Sequence, residues 1–239
     1  MKFFENIAIL FFDILDKYFH QRKILFFLKK NMSEVKIYID IGSHKGSYTD
    51  LIQKNFDLEK AIMFEPQKKI YEFIKKKYSK NKKIKIYNCA ISNFEKKQAL
   101  YINKHDLTTS LTKINTNNKY LNLKAKLFGG TINEMILRKN MIKTLRLDKI
   151  IHKNKVKFID LMKIDTEGHE LQVLKGAGSI LKLNTKFILI EFHNSNIFEN
   201  YDAKKIDKYL TKNNFILKKT FKFPFTTWED RIYRNTRVN

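Results

Sequence analysis

Apolar and polar positions along the chain follow two rhythms. Residues 35–41 (VKIYIDI) are nearly continuous apolar, as in a strand covered on both faces. They lead through Gly42 and Gly46 into a helical stretch over 47–55. Residues 60–65 (KAIMFE) read as a second strand, stopped by Pro66. Over 67–78, Ile70, Phe73, Ile74 and Tyr78 share one helical face, with lysines elsewhere. A third strand follows at 84–89. Two βα units feeding a third strand are how a parallel, helix-covered sheet begins.

Downstream, 98–102 alternates weakly and predicts an antiparallel strand outside the core sheet. Residues 105–118 are rich in Thr and Asn and read as a loop, whereas 121–133 fits no single pattern. A short edge strand is expected at 143–147 and a helical turn or two at 148–152. Residues 156–164 return to the strand pattern and end in Asp-Thr-Glu-Gly at 165–168. A helix over 169–183 carries Leu171, Val173, Leu174, Ala177, Ile180 and Leu181, broken or capped near Gly176 and Gly178. A fifth core strand is expected at 187–192, a helix at 202–213, and last strands at 215–219 and 231–233.

Ahead of the first strand, Phe11, Ile14, Leu15, Tyr18 and Phe19 recur at helical spacing, and a second apolar run at 24–28 ends in Lys29 and Lys30. The organisation expected is therefore a helical extension over 1–32 and one domain over 33–239. The extension packs on the domain or on a second copy in a homodimer; the sharper alternative is a helix lying on an anionic membrane surface. No stretch of about 18 uncharged apolar residues predicts a membrane span. The run at 7–12 is too short, and too soon followed by Asp13 and Asp16, for a secretory signal. A cytoplasmic enzyme, with peripheral contact at the inner face of the membrane as the alternative, is the resulting expectation.

Composition narrows this modestly. The 239 residues include 43% apolar and 13% aromatic positions, enough for a packed core. A single cysteine, Cys89, excludes an intramolecular disulfide and a Cys-rich zinc module. The net charge is +24, but only six of the 48 basic residues are Arg. A surface that reads phosphates favours the bidentate guanidinium, so the excess of Lys reflects composition more than a nucleic-acid partner.

The chemistry-bearing residues lie at strand ends. Asp40-Ile-Gly-Ser-His-Lys-Gly46 joins a strand to a helix, and Glu65 closes the second strand. A carboxylate there suits the two hydroxyls of a ribose. Asp40 beside the loop suits a cationic sulfonium and ammonium better than a pyrophosphate. That pattern points to S-adenosylmethionine across the strand ends. Ala90 is small enough for an adenine ring to lie against, with Ile91 at its edge.

In order, the blocks IDIGSHKGSYT, FEP, NCAIS, TLRLDKI, LMKIDTEGHELQVLKGA and ILIEFH run from Tyr38 to His193. They resemble the FkbM family of S-adenosylmethionine-dependent methyltransferases. The resemblance implies a class I methyltransferase (Rossmann-like) α/β fold, a three-layer sandwich with a mostly parallel seven-stranded sheet. It also implies O-methylation of a sugar, glycan or lipid hydroxyl. By that resemblance Asp40, Gly42, Ser43, His44 and Gly46 form the cofactor loop, Glu65 binds the ribose, and Asn88, Ala90 and Ile91 flank the adenine. Asp165 follows strand four and belongs to both cofactor and acceptor sides. Where the family often has Ala-Asn, this chain has Ser43-His44.

Methyl transfer needs an aligned hydroxyl and a group to take its proton. Asp165, Glu167, His169 and Glu170 gather after strand four; Glu191 and His193 end strand five. His193 is the first choice for the base and Asp165 the second, with Glu167 and Glu191 orienting the acceptor or the base. Glu167 could instead cap the helix after strand four. Asp165, Glu191 and His193 also suit magnesium, calcium or manganese, but nothing in their spacing compels a metal, and none is assigned. Acceptor selectivity is expected from loops at 105–118, 127–131 and 221–231, with the aromatic run at 221–228 stacking on a sugar or packing in the core. Lys104, Lys113 and Arg231 are placed to meet an anionic substituent. The acceptor expected is a saccharide or glycolipid. The alternatives are an RNA methyltransferase and a non-enzymatic cofactor-binding partner of a biosynthetic complex.

Overall fold

The computed structural model describes residues 12, 14–103, 109–119, 121–123, 131, 136–224 and 226–238. A wide π-type turn, Asp16–His20, runs into helix α1 (Gln21–Asn31). The first βα units are β1 (Ile37–Ile41), α2 (Ser47–Asn55), β2 (Lys60–Phe64), α3 (Lys68–Lys77) and β3 (Ile84–Tyr87). Next come β4 (Ala90–Ile91), β5 (Lys97–Asn103) and β6 (Ile136–Leu145). The second half holds α4 (Leu147–Lys153), β7 (Ile159–Ile164), α5 (Glu170–Gly176), α6 (Ser179–Asn184) and β8 (Thr185–His193). It closes with α7 (Ala203–Lys212), β9 (Phe215–Lys222) and β10 (Trp228–Asn235).

Seven strands form one sheet in the order β3-β2-β1-β7-β8-β10-β9. Neighbours from β3 to β8 are parallel, and β10 runs antiparallel to both β8 and β9. The strands alternate between two buried faces. Ile39, Ile41, Ile62, Phe64, Met162, Ile164, Ile188 and Ile190 face one core, covered by Leu147 and Ile151 of α4, Val173 and Leu174 of α5 and Leu210 of α7. Tyr38, Ala61, Leu161, Phe187 and Leu189 face the other, covered by Ile24 and Leu28 of α1 and Ile52 of α2. The three-layer sandwich is thus as expected. The helix read as part of an extension is one of the sheet's covering helices.

Two elements differ from the pattern reading. The strand expected at 84–89 stops at Tyr87, because Asn88 donates from Nδ2 to the carbonyls of Glu65 and Pro66 at 2.9 and 3.1 Å. The short edge strand expected at 143–147 is instead a ten-residue central strand, β6, between β4 and β5 of a small second sheet. Arg138, Lys139, Asn140 and Met141 on it are exposed, so no core-facing rhythm marks it in the sequence. The helix expected over 169–183 breaks in two at Gly178, as its glycines suggested.

One feature of the topology locates function. From β1 the chain moves outward through β2 to β3, then returns to build β7 and β8 on the other side. The carboxyl ends of β1 and β7 therefore diverge into different loops, which opens the crevice where α/β sheets bind ligands. No helix among the described residues is long and apolar enough to cross a membrane.

Candidate active site

At the switch point the loop after β1 is closed by backbone contacts. Gly42 and Ser43 both donate their N–H groups to the carbonyl of Phe64, at 3.1 Å each. Gly42 has φ +79°, and a Cβ on it would lie 1.7 Å from the carbonyl oxygen of Asp165. The glycine thus lets the β1 loop press against the β7 loop; no larger residue fits. Gly46 has φ +77°, and its missing Cβ makes room for the Tyr78 hydroxyl, which donates to the Gly46 carbonyl at 2.9 Å.

Glu65 ties the same loop to the second strand. Its Oε2 accepts from the His44 N–H at 3.0 Å and its Oε1 from the Gln67 N–H at 2.8 Å. Burial pushes its pKa up to about 7, against the pull of those two hydrogen bonds. Each oxygen retains a further lone pair. Asp40 is buried; its Oδ2 accepts from Thr49 Oγ1 at 2.6 Å, and its Oδ1 has no hydrogen-bond partner among the described residues. Burial also raises the Asp40 pKa. Ala90 packs with Leu100, Ile102 and Leu111, and the Ile91 side chain lies in the main core. The adenine-flanking residues of the sequence reading are therefore mostly occupied by packing.

Across the switch point, the ends of β7 and β8 hold a different population. Lys163, buried inside an otherwise apolar strand, gives Asp165 Oδ2 a 2.7 Å ion pair. Burial works to lower the Lys163 pKa, but the charges of Asp165 and Asp40 prevail and raise it. Burial works to raise Asp165, yet Lys163 holds it below the usual carboxylate range. Sequence reasoning missed Lys163, although a lysine in IDLMKI two residues before Asp165 shares its face of the strand and was the available signal.

His193 is 5% exposed, with its ring edge-on to Phe198 and Tyr201 at centroid distances of 4.9 and 5.4 Å. Its Nε2 lies 3.5 Å from Glu167 Oε2 and 3.4 Å from Glu191 Oε2, and neither ring nitrogen makes a hydrogen bond among the described residues. Burial lowers its pKa to about 4, against the charge of Asp165. Burial, with the charges of Asp165 and Glu167, pushes Glu191 well above the ordinary range. All four acceptor-side residues named from the sequence are thus brought together.

Neighbouring groups have structural jobs. No side chain caps α5; Glu170, its first residue, instead ties the preceding turn, its Oε1 accepting from the Thr166 and Gly168 N–H groups at 3.0 and 3.1 Å. His169 is buried beside Ser92 Oγ at 3.0 Å from its Nε2, and burial lowers its pKa to about 4. Ser110 Oγ donates to the carbonyls of Thr166 and Glu167 at 3.2 and 2.6 Å, so the described part of the Thr/Asn-rich loop straps down the β7–α5 turn.

One expectation about the acceptor side changes, and one of two open alternatives is favoured. Arg231 does not wait for an anionic substituent: it pairs with Glu229 and Asp207 at 2.7 Å each and stacks over Phe192. Phe223 and Trp228 stack on each other at 4.4 Å and receive the edge of His20 at 5.2 Å, so much of the aromatic run packs against the N-terminal helical segment. His20, unremarked in the sequence, also lies 2.9 Å from Asp230 Oδ2. Lys104 and all of 127–131 except Thr131 lie outside the described residues.

Known proteins can now be set beside this geometry. The family model described as the methyltransferase FkbM domain matches residues 40–217, from Asp40 in β1 to β9. A 71-residue segment is 34% identical to the hexuronic acid methyltransferase AglP of Haloferax volcanii, spanning 30% of this chain and 27% of that protein. The fold superposes on a methyltransferase FkbM of Methylobacillus flagellatus with a TM-score of 0.53 at 16% identity, covering 84% of this chain and 43% of that one. It also superposes on the magnesium protoporphyrin IX methyltransferase of Synechocystis, a structure with bound S-adenosylmethionine, with a TM-score of 0.50 at 9% identity, covering 93% and 81%. The chain thus spans under half the length of the first two relatives. With the family model across most of its sheet and the switch-point crevice between β1 and β7, the chain belongs to the FkbM methyltransferase family.

Proposed function

We propose that this methyltransferase uses S-adenosylmethionine to methylate a hydroxyl of a sugar, glycan or glycolipid. The carrying observation is Glu65: a buried strand-end carboxylate, fixed by two backbone amides from two loops, with lone pairs left for a ribose diol. The unpartnered Oδ1 of buried Asp40 beside it fits a cofactor that carries positive charge. Gly42, Ser43, His44 and Gly46 shape the loop, and Asn88 fixes the turn after β2 from the far side. When bound, the cofactor supplies an electrophilic methyl group on a sulfonium sulfur.

The acceptor belongs at the other side of the switch point. Its oxygen forms the new C–O bond as the C–S bond breaks and that electron pair returns to sulfur. The hydroxyl proton must pass to the cluster of Asp165, Glu167, Glu191 and His193. His193 is neutral near pH 7, so its lone pair can accept, but no hydrogen bond fixes its tautomer. The segment shared with the hexuronic acid methyltransferase supports a saccharide acceptor. The acidic character of the cluster argues against RNA, whose phosphates it would repel. Lysines gather elsewhere: Lys60, Lys82, Lys83, Lys85, Lys153 and Lys155 line a basin of about 340 Å³ at the amino ends of the strands.

Peripheral membrane contact is the companion proposal. Tyr18, Phe19 and Phe26 are exposed along a helical segment that also carries Lys17, Arg22, Lys23, Lys29 and Lys30. It predicts flotation with anionic vesicles at physiological salt. The enzymatic reading is tested by incubating the protein with methyl-labelled S-adenosylmethionine and separate pools of hexuronate-containing oligosaccharides, glycolipids and RNA. Label is expected in the saccharide or glycolipid pool; label in RNA alone overturns the proposal.

A further inference from the structure

The group of Glu167, Glu191 and His193 has a feature that packing does not account for. One ligand atom from each lies within 4.8 Å of the others. An imidazole this buried normally donates or accepts a hydrogen bond. Here both nitrogens of His193 make none among the described residues, while Nε2 points between two carboxylates at 3.4 and 3.5 Å. Glu191 Oε2 is equally buried and makes no hydrogen bond among the described residues, although the Glu191 carboxyl lies against that of Asp165. The distances are long for hydrogen bonds. In an octahedral site with ligands about 2.1 Å from one ion, neighbouring ligand atoms lie about 3.0 Å apart, so a closure of about half an ångström completes the shell.

We propose that Glu167, Glu191 and His193 bind a divalent cation of the manganese or magnesium type, which holds the acceptor hydroxyl. The donor set of two carboxylates and one imidazole suits a borderline-hard ion that keeps open positions for oxygen ligands. Three segments build it, with Glu167 held in the left-handed backbone region at φ +54°. The turn after β7, held by Ser110 and Glu170, presents Glu167; the end of β8 presents Glu191 and His193; Phe198 and Tyr201 wall the imidazole. The Tyr201 hydroxyl accepts the His193 backbone N–H at 3.0 Å and fixes the strand end itself.

The ion supplies what the buried cluster lacks. Lys163 is the buried lysine among Asp40, Asp165 and Glu191, and it is already committed to Asp165. A divalent charge balances the remaining carboxylates and acidifies a bound hydroxyl, whose proton then passes to the half-buried Asp165. His193 becomes a ligand and not the base. This role at the acceptor oxygen rests on the methyl-transfer reading; binding of the ion does not.

The test is titration of the full-length protein with Mn²⁺, following loss of the free-ion electron paramagnetic resonance signal. One tight Mn²⁺ per chain is expected, displaced by excess Mg²⁺ or a chelator. Glu191→Gln and His193→Ala are each expected to weaken binding at least tenfold, and Glu167→Gln, at the least buried of the three positions, keeps the test decisive should the others misfold. Exposed Glu72→Gln is the control and leaves binding unchanged. No stoichiometric binding at millimolar Mn²⁺, or binding indifferent to Glu167→Gln in a folded protein, overturns the site. S-adenosylmethionine binding is measured by calorimetry on the same samples. Its absence beside intact Mn²⁺ binding overturns the methyl-donor reading and leaves the ion site standing.

Discussion

The two sides of the switch point are built on opposite principles. Around Glu65 the loop backbone is already satisfied: the amides of Gly42, Ser43 and His44, the Asn88 side chain and the Tyr78 hydroxyl have protein partners, while Asp40 Oδ1 stays open among the described residues. Around His193, buried nitrogens and a carboxylate oxygen stand without hydrogen bonds among the described residues. A satisfied network is a rigid frame and needs no ligand to hold its shape. An unsatisfied one is costly in the free protein and becomes favourable only when something fills it. The difference teaches that the donor side is pre-organised, and that the acceptor side stores its polar cost for the molecule it receives.

That contrast can be broken most forcefully at Gly42. Gly42→Ala sets a Cβ against the Asp165 carbonyl in a left-handed backbone conformation. Chemical denaturation is expected to show a loss of about 3 kcal/mol or more, with cofactor binding lost alongside. A neutral result would mean that the two loops are not pressed together.

Glu65→Gln sharpens the same contrast with the opposite sign. Burial raises the Glu65 pKa from 4.5 to about 7, so the folded state holds a proton that the unfolded chain has released between those values. The stability this contributes is fully present below about 4.5 and is lost as pH rises through 7. Gln has one acceptor oxygen for the two backbone N–H groups, so the variant loses a hydrogen bond at every pH but escapes the charge penalty. Its stability relative to the parent should therefore rise by up to about 3 kcal/mol from pH 4 to pH 8, while it binds the methyl donor more weakly. Thermal unfolding at both pH values reads this directly.

His169 runs the other way. Its pKa falls from 6.5 to about 4 on burial, so stability that depends on its neutral form is complete above about 6.5 and is lost as pH falls through 4. His169→Gln should flatten the stability profile over that window. Smallest is Ser110→Ala, which removes the hydroxyl that fastens Thr166 and Glu167. A cost of about 1 kcal/mol is expected, with a rise in KM for the acceptor at little change in affinity for the methyl donor.

What the sequence revealed follows the same divide. The parallel core was legible because its strands are buried on both faces and read as apolar runs. Gly42, Gly46 and Glu65 were legible because strand-end loops permit few residue types. Their individual tasks were not: that Gly46 gives way to Tyr78, or that Gly42 meets Asp165, depends on neighbours 32 and 123 residues away. Most of β6 was not legible because positions 138–141 are all exposed and leave no apolar alternation to read. Lys163 was passed over because a single charge inside an apolar strand is lost in a chain with so many lysines. That Glu170 and not Glu167 ties the turn after β7 was not legible, because spacing alone does not say which carboxylate folds back over it.

The most direct test of the central claim is calorimetric titration of S-adenosylmethionine into the intact protein and into Glu65→Ala, with circular dichroism confirming that both are folded. Binding of one molecule per chain, weakened at least tenfold in the variant, is the predicted result. No binding to the intact protein, or equal binding to both, would contradict it.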